Sequence, residues 1–266
     1  MPGDKHDEQR SGIGAATAMV EKFLLTLVLG VAACGAALAV EVERPGWTTS
    51  AELGAIITSG NTVGTSVTGK IEARHELAGW SNHYVMGGYF KEDEAADGQG
   101  GRLRKRSAER YSFSAKAAFK LMQKGKKLFV LASHVDDKFA AYSTYSSVGV
   151  GHSVQLHASA DRSLDVELGP GYFSGVNANG QAESGFTLRG AAALKWKLGP
   201  AAVFSQTLSV ERGASNTHSV AEFGLSTKIN DTMRMKASFV ARKDTNVPAK
   251  KKNTDTQTAL TLVYSF

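Results

Sequence analysis

Three short histidine motifs contain residue types that could carry out hydrolysis. In His134-Val-Asp136-Asp137, a histidine and two carboxylates could activate a water molecule for protease-like chemistry. Gly151-His152-Ser153 and His218-Ser219 each place a histidine beside a serine, which a lipase-like enzyme would use as its nucleophile. Adjacent side chains of a strand point to opposite faces, however. Neither histidine can therefore form a hydrogen bond with the serine that follows it. The sequence therefore predicts that the chain is not an enzyme, with a lipase- or protease-like enzyme as the alternative.

No spacing in the sequence suits a metal ion or a cofactor. The seven histidines are scattered, and no His-x-His pair occurs. Asp93, Glu94 and Asp97 could together bind Ca²⁺, but the spacing of an EF-hand loop is missing, so a solvated charged loop is the simpler interpretation. We therefore expect neither a cofactor nor a metal.

The largest group of candidate residues consists of charged side chains that alternate with apolar ones. Such alternation puts charges on one face of a strand and apolar groups on the other. In a closed barrel the charged faces would line the lumen, where an excess of bases over acids predicts an anion-biased pore. Mutual pairing that fills the lumen is the alternative. The predicted lumen-lining residues are Lys70, Arg74, Lys116, Lys120, Arg189, Lys195, Lys197, Lys228, Arg234, Lys236, Arg242, Glu52, Glu72, Asp165, Glu167 and Glu222.

Twelve alternating segments follow Trp47, and most have the length of about 9 to 11 residues that a tilted strand needs to cross a bilayer. An even number returns the chain to its starting side, as in bacterial outer-membrane barrels. Pro170 interrupts one segment between two glycines, and we expect a bulge or kink there rather than a strand break. The segments are Thr48–Thr58, Thr62–Glu76, His83–Lys91, Arg110–Leu121, Lys127–Val135, Ser146–Leu156, Ser163–Ser174, Gly185–Leu198, Ala202–Arg212, Val220–Ile229, Met233–Arg242 and Thr258–Phe266.

The connections between these segments sort by length. Those at the end that holds both termini are short, whereas Glu92–Glu109 and Lys243–Asp255 at the opposite end are long and charged, with the Ser59-Gly60-Asn61 turn as an exception. Short periplasmic turns and longer outer loops are typical of a transmembrane barrel. The aromatic residues Trp47, Trp80, Trp196, Tyr264 and Phe266 are expected to form a belt at one lipid boundary, although Trp196 could equally be an ordinary sheet contact.

The final segment suggests the compartment. Leu262, Tyr264 and Phe266 share one face, and the sequence stops at Phe266. This is similar to the C-terminal signal that outer-membrane barrels present to their assembly machinery, which is therefore an expected partner.

An export signal is predicted at the other end of the sequence. The apolar run Phe23–Val40 follows Lys22 and contains Ala37-Leu38-Ala39, so a signal peptide spanning residues 1–39 is expected, with 40–266 as the barrel domain. Residues 1–18 are too acidic for a signal, which makes Met19 an alternative start to Met1. Cys34 lies within the signal, although it loosely matches a lipidation site. An uncleaved membrane helix is the other alternative.

The overall composition is consistent with such a barrel. A mean hydropathy of −0.19 excludes a polytopic helical membrane protein, while a barrel hides its apolar residues through alternation. Removal of residues 1–39 leaves 28 basic and 21 acidic side chains, a net charge of +7. In an exported protein without a nucleic-acid module, this charge suits an anionic lipid or lipopolysaccharide surface, or a basic lumen. We therefore expect no nucleic-acid partner.

Four stretches together resemble one known family. They are Ala51-Glu-Leu-Gly54, Ser59-Gly-Asn-Thr62, Leu168-Gly-Pro-Gly-Tyr172 and the closing Thr258–Phe266 segment. These stretches are similar to the salt-induced outer membrane protein family, domain of unknown function 481. The resemblance implies an outer-membrane barrel and brings no catalytic residues. The family pattern has a basic residue after the tyrosine, where this chain has Phe173, so any role of that charge is in doubt here.

Taken together, the patterns predict an all-β protein with a single closed antiparallel transmembrane β-barrel of about twelve strands. We expect it in the bacterial outer membrane, in contact with lipids and lipopolysaccharide, as a narrow channel or a structural envelope component. An enzyme acting at the outer rim and a soluble periplasmic β protein are the alternatives.

Overall fold

The computed structural model describes residues 45–58, 64–96, 102–247 and 252–266. Every strand in these ranges pairs antiparallel with its neighbours in sequence, and the first strand also pairs with the last, which closes a barrel. The predicted closed barrel of about twelve strands is therefore confirmed. The strands are β1 (Gly46–Thr58), β2 (Gly64–Glu76), β3 (Trp80–Ala96), β4 (Arg102–Lys120), β5 (Lys126–Asp137), β6 (Tyr142–Ala158), β7 (Arg162–Asn177), β8 (Ala182–Lys197), β9 (Ala202–Gly213), β10 (Thr217–Lys228), β11 (Met233–Asp244) and β12 (Thr254–Ser265).

The outer face of the barrel is apolar. Side chains such as Phe186 and Leu53 are 83% and 66% exposed. Their neighbours in sequence, such as Thr187 and Glu52, point inward. Among the described residues, no large side chain is fully buried, so there is no dry core of the kind a soluble sandwich has. No helix in the described part of the chain is both long and apolar enough to cross a bilayer.

The two ends of the barrel can be named from the chain. We call the end with Gly46 and Phe266 the near end, and the opposite end the far end. The near-end turns are short, as predicted: residues 77–79, 121–125, 159–161, 198–201 and 229–232. The predicted signal peptide (1–39), the possible starts Met1 and Met19, and Cys34 all lie outside the described residues.

The prediction of a long loop over Glu92–Glu109 was wrong. Most of this segment is paired strand, because β3 and β4 continue as a hairpin with a bulge between Lys91 and Glu92. Ion pairs join the two strands, from Arg106 to Glu92 at 3.3 Å and from Arg104 to Glu94 at 3.4 Å. Beyond the apolar band both faces of a strand meet water, so alternation of apolar and polar residues ends before the backbone pairing does.

The closing seam between β1 and β12 is the shortest ladder of the barrel. Its register covers four pairs, from Ser50 with Ser265 to Leu53 with Leu262, whereas the ladder between β1 and β2 covers the full length of β1. Thr49 and Phe266 exchange backbone hydrogen bonds of 3.2 and 3.0 Å at the near end. The last residue of the chain therefore takes part in closure.

Strand β7 runs through Pro170 without a break, as expected. Pro170 is paired with Leu188 on β8, whereas the register with β6 has no partners between Gly171 and Leu168. A Cβ atom at Gly169 would clash with the carbonyl oxygen of Val150. Glycine therefore lets β6 and β7 approach closely where proline removes a ladder hydrogen bond.

Aromatic rings form two belts on the outer face. At the near end Trp47 stacks on His75 with ring centres 4.3 Å apart, and Trp80 meets Phe119 edge-on at 5.3 Å. Trp196, Tyr264 and Phe266 also lie on this face at the near end, so all five residues of the predicted belt are found there. Rings farther along the wall form the far belt, with pairs Phe90–Tyr111 and Tyr172–Phe186.

Candidate functional site

The strand register places the sixteen predicted lumen-lining residues on one face of the sheet. Contacts across the barrel identify this face as the inner one. Lys116 on β4 forms an ion pair with Glu167 on β7, and Arg189 on β8 reaches the same carboxylate at 3.1 Å. Strands β4 and β7 are not neighbours, so only an inner-face contact can join them.

A second inner group is centred on Glu72. Its carboxylate lies 2.7 Å from the Arg74 guanidinium, 3.1 Å from the Lys70 ammonium and 3.0 Å from the His83 ring. Lys70 also approaches Glu52 at 3.8 Å. These residues stand on β1, β2 and β3, so the group joins three strands from inside.

A third inner group spans the closing seam. The Lys236 ammonium on β11 lies 3.3 Å from Glu52 on β1 and 3.2 Å from Glu222 on β10. Lys236 thus reaches over β12 to the first strand. Lys236 and Glu52 are 10% and 12% exposed at their side chains, so water screens this pair less than a surface pair.

Three of the predicted lumen-lining bases at the near end bind groups that lie close to them at the same end of the barrel. Lys120 lies 2.8 Å from Glu76, Lys228 lies 2.6 Å from Asp231, and Lys197 donates to the Ala160 carbonyl oxygen at 3.1 Å. Lys195 and Arg234 share the inner face at this end and make no ion pair with any described residue.

Sequence reasoning missed several inner-face charges, most of them acids. Asp137, Glu183, Asp244 and Asp255 were missed because the predicted segments are shorter than the observed strands, whereas the other missed charges lie inside predicted segments. The missed bases include Lys91, Arg110 and Lys127. The missed acids, which reduce the basic excess expected from the sequence, are Glu76, Asp137, Glu183, Glu211, Asp244 and Asp255.

An aromatic cluster fills one side of the lumen at the far end. Tyr145 stacks on Phe173 and on His218, each with ring centres 5.4 Å apart, and Tyr142 packs edge-on against both Tyr145 and Phe173. Phe173 is 4% exposed. This side of the lumen is therefore occupied by rings rather than by charge.

The acids next to this cluster bond mainly to neutral donors. The hydroxyl of Tyr142 donates to Glu183 at 2.8 Å, and that of Tyr145 donates to Glu211 at 3.0 Å. Asp244 lies 2.9 Å from the ring of His218, which also belongs to the aromatic cluster. Hydrogen bonds thus hold these three carboxylates at the wall.

Two guanidinium groups face each other from opposite sides of the lumen. Arg110 on β4 lies 2.9 Å from Asp137, whereas Arg242 on β11 makes only two 3.4 Å contacts, both to the amide oxygen of Gln257. Arg242 has no carboxylate within ion-pair distance among the described residues. Positive charge is therefore less compensated at Arg242 than at Arg110, Arg74 and Arg189, which all contact carboxylates.

The described residues of the lumen line several cavities, of which three bear on function. The far cavity, of about 220 Å³, and the central cavity, of about 320 Å³, share Tyr89, Arg110, Arg242 and Gln257 in their walls. A third cavity, of about 270 Å³, lies beside Lys116 and Glu167. The two arginines therefore stand at the boundary between the far and central cavities.

The histidine motifs do not assemble into a hydrolase site in the described part of the chain. His134 faces outward and lies 2.8 Å from the Ser146 hydroxyl, whereas Asp137 faces inward and pairs with Arg110. Asp136 shares the outer face with His134, but no carboxylate among the described residues bonds to the second nitrogen of His134 to orient it. The sequential neighbours His152 and Ser153 lie on opposite faces, as expected. No described group of histidine, cysteine, aspartate and glutamate could hold a metal ion.

The sequence of the barrel matches the model of one protein family. The model of the family described as "Protein of unknown function, DUF481" matches residues 51–266, almost the whole barrel. The chain belongs to this family. The family resemblance predicted from the sequence is thus confirmed, and we found no curated protein with a matching sequence.

Solved structures with the same architecture are outer-membrane proteins. The NanC porin is 9% identical, with a TM-score of 0.51 over 82% of this chain and 98% of that porin. An outer membrane channel from Pseudomonas putida F1 is 10% identical, with a TM-score of 0.50 over 86% of this chain and 97% of that channel. At these identities the likeness concerns the fold, and the fold of this family member is that of outer-membrane porins and channels.

Proposed function

We propose that this chain is a narrow channel of the bacterial outer membrane that passes small anions. The observation that carries the proposal is the position of Arg110 and Arg242 on opposite walls between the far and central cavities. An ion that moves between these cavities must pass both guanidinium groups. Arg110 pairs with Asp137, whereas Arg242 has no carboxylate within ion-pair distance among the described residues, and this difference supports a preference for anions at the boundary.

We propose the orientation of the barrel in the membrane from its apolar outer face and its two ends. The apolar band between the belts would contact lipid, and the charged β3–β4 hairpin at the far end would extend toward lipopolysaccharide. The near end would then face the periplasm. We also propose that Leu262, Tyr264 and Phe266 are the signal read by the assembly machinery, since β12 carries them at the seam where the barrel closes.

Ion selectivity tests the proposed channel directly. Protein reconstituted in planar bilayers under a KCl gradient should give step-like currents. Their reversal potential should lie closer to the equilibrium potential of chloride than to that of potassium. Arg242→Gln should lower the chloride-to-potassium permeability ratio by about 16-fold, a factor of about four from each of the two ions. This estimate takes a unit charge about 5 Å from the ion, worth about 0.8 kcal/mol in water.

The matched control for that experiment is Arg212→Gln. Arg212 is an exposed arginine on the outer face, two residues before the turn that joins β9 and β10, so its loss should leave selectivity unchanged. Cation-selective currents, or equal effects of the two substitutions, would contradict an anion-biased lumen. Correctly folded protein without any current would favour a structural envelope component instead.

A further inference from the structure

Arg242 is the inner arginine best placed to bind an exogenous carboxylate. Its two terminal nitrogens both point at one amide oxygen, that of Gln257, at 3.4 Å, which is long for a charge-assisted hydrogen bond. A guanidinium fits a carboxylate with two parallel hydrogen bonds, a geometry that one amide oxygen cannot supply. The group therefore retains donor capacity at the boundary of the far cavity.

The rest of the far cavity provides a ring face and hydrogen-bond acceptors. Tyr89 lines the cavity beside Arg242, and its ring makes no ring contact in the described part of the chain. Asp244 accepts bonds from His218 and Asn216 through Oδ1 alone, so its Oδ2 atom can accept from a ligand hydroxyl. The cavity volume of about 220 Å³ equals about seven water molecules in the liquid, which suits one sugar ring and not an extended chain.

We propose that the far cavity binds a sugar acid, with the ligand carboxylate on Arg242, the ring against Tyr89 and a ring hydroxyl on Asp244. A neutral sugar lacks the charge that Arg242 selects, and a simple carboxylate lacks the ring and hydroxyls that the other two residues contact. This inference deepens the proposed function, since it places a saturable site on the path of the channel. Binding itself does not require conduction.

Glucuronate is the probe, with glucose and acetate as the neutral and ringless comparisons at constant ionic strength. Titration calorimetry of the detergent-purified barrel should show saturable glucuronate binding that exceeds binding of both comparisons. Arg242→Gln should weaken glucuronate binding roughly tenfold or more, because a charge-assisted hydrogen-bond pair is lost. Tyr89→Leu should weaken glucuronate binding and leave acetate binding unchanged. Arg212→Gln should change the binding of neither compound.

Folding of each variant is checked by its heat-modifiable mobility on gels, so loss of binding cannot be confused with loss of the barrel. Equal binding of glucose, equal binding of acetate, or no binding of glucuronate to the folded protein would overturn the sugar-acid site. Bilayer currents from the same preparations separate the two proposals. Chloride currents without glucuronate binding reject the site alone, and glucuronate binding by a protein that does not conduct supports the site and rejects the channel.

Discussion

At the scale of single residues, glycine decides how closely β6 and β7 can approach. Gly151 and Gly169 both lie where a Cβ atom would clash with backbone of the facing strand, at the carbonyl oxygens of Leu168 and Val150. The sequence showed only that Pro170 is flanked by glycines. Which backbone atoms would be hit depends on the register between two strands and could not be read from one strand alone.

Gly169→Ala should destabilise the barrel, because the new methyl group meets fixed backbone rather than a movable side chain. Overpacking of this kind costs about 1–3 kcal/mol. The midpoint of urea unfolding, followed by heat-modifiable gel mobility, measures the loss. Gly199→Ala is the control, since a Cβ atom there meets nothing within 4 Å and the turn should accept it. Equal midpoints for both variants would show that β6 and β7 are not held this closely.

At the scale of elements, the closing seam differs from every other strand pair. Its backbone register is short, and the inner ion pair between Lys236 and Glu52 joins the strands on either side of β12. Side-chain contacts are therefore expected to contribute more to closure here than they do where two full ladders flank a strand. The alternation in each strand predicted a series of antiparallel strands, and closure of the barrel was expected because a membrane does not tolerate unpaired strand edges.

Glu52→Gln should lower the unfolding midpoint more than Glu222→Gln does. Both substitutions remove a carboxylate partner of Lys236, but only Glu52 stands on a seam strand, whereas Glu222 lies on β10 with long ladders on both sides. Breaking a buried pair costs about 3–5 kcal/mol, and the open lumen reduces this to about 1–2 kcal/mol. Urea titrations of the two variants in one detergent provide the comparison. Indistinguishable midpoints would mean that the seam gains nothing from the Lys236 bridge.

At the scale of the whole molecule, the distribution of polarity is reversed relative to a soluble protein. Charged groups meet across the interior, and large apolar side chains cover the exterior between two aromatic belts. Such a surface is stable only where lipid replaces water, and closure of the sheet satisfies the backbone groups that lipid cannot.

The three tryptophans of the chain allow this arrangement to be tested without substitution. Trp47, Trp80 and Trp196 all lie on the outer face at the near end. In lipid vesicles, bromine atoms near the headgroup should quench tryptophan fluorescence more strongly than bromine atoms at the chain ends, because an aromatic belt sits at the interface. Strongest quenching at the bilayer centre would show that the tryptophans do not lie at the interface. No quenching at either depth would contradict a membrane-facing wall.

The sequence by itself determined the alternation, and with it the number of strands, their order and the inner position of residues such as Lys116 and Arg242. These follow because the period of two is a local property of each strand. Only the tertiary structure decided that Lys116 meets Glu167, that Tyr145 packs between Phe173 and His218, and that Arg242 faces Arg110 without a carboxylate of its own. Lys116 and Glu167, Tyr145 and His218, and Arg242 and Arg110 stand on strands that are not neighbours. Their positions relative to each other depend on register and closure, which are properties of the assembled wall and not of any single segment.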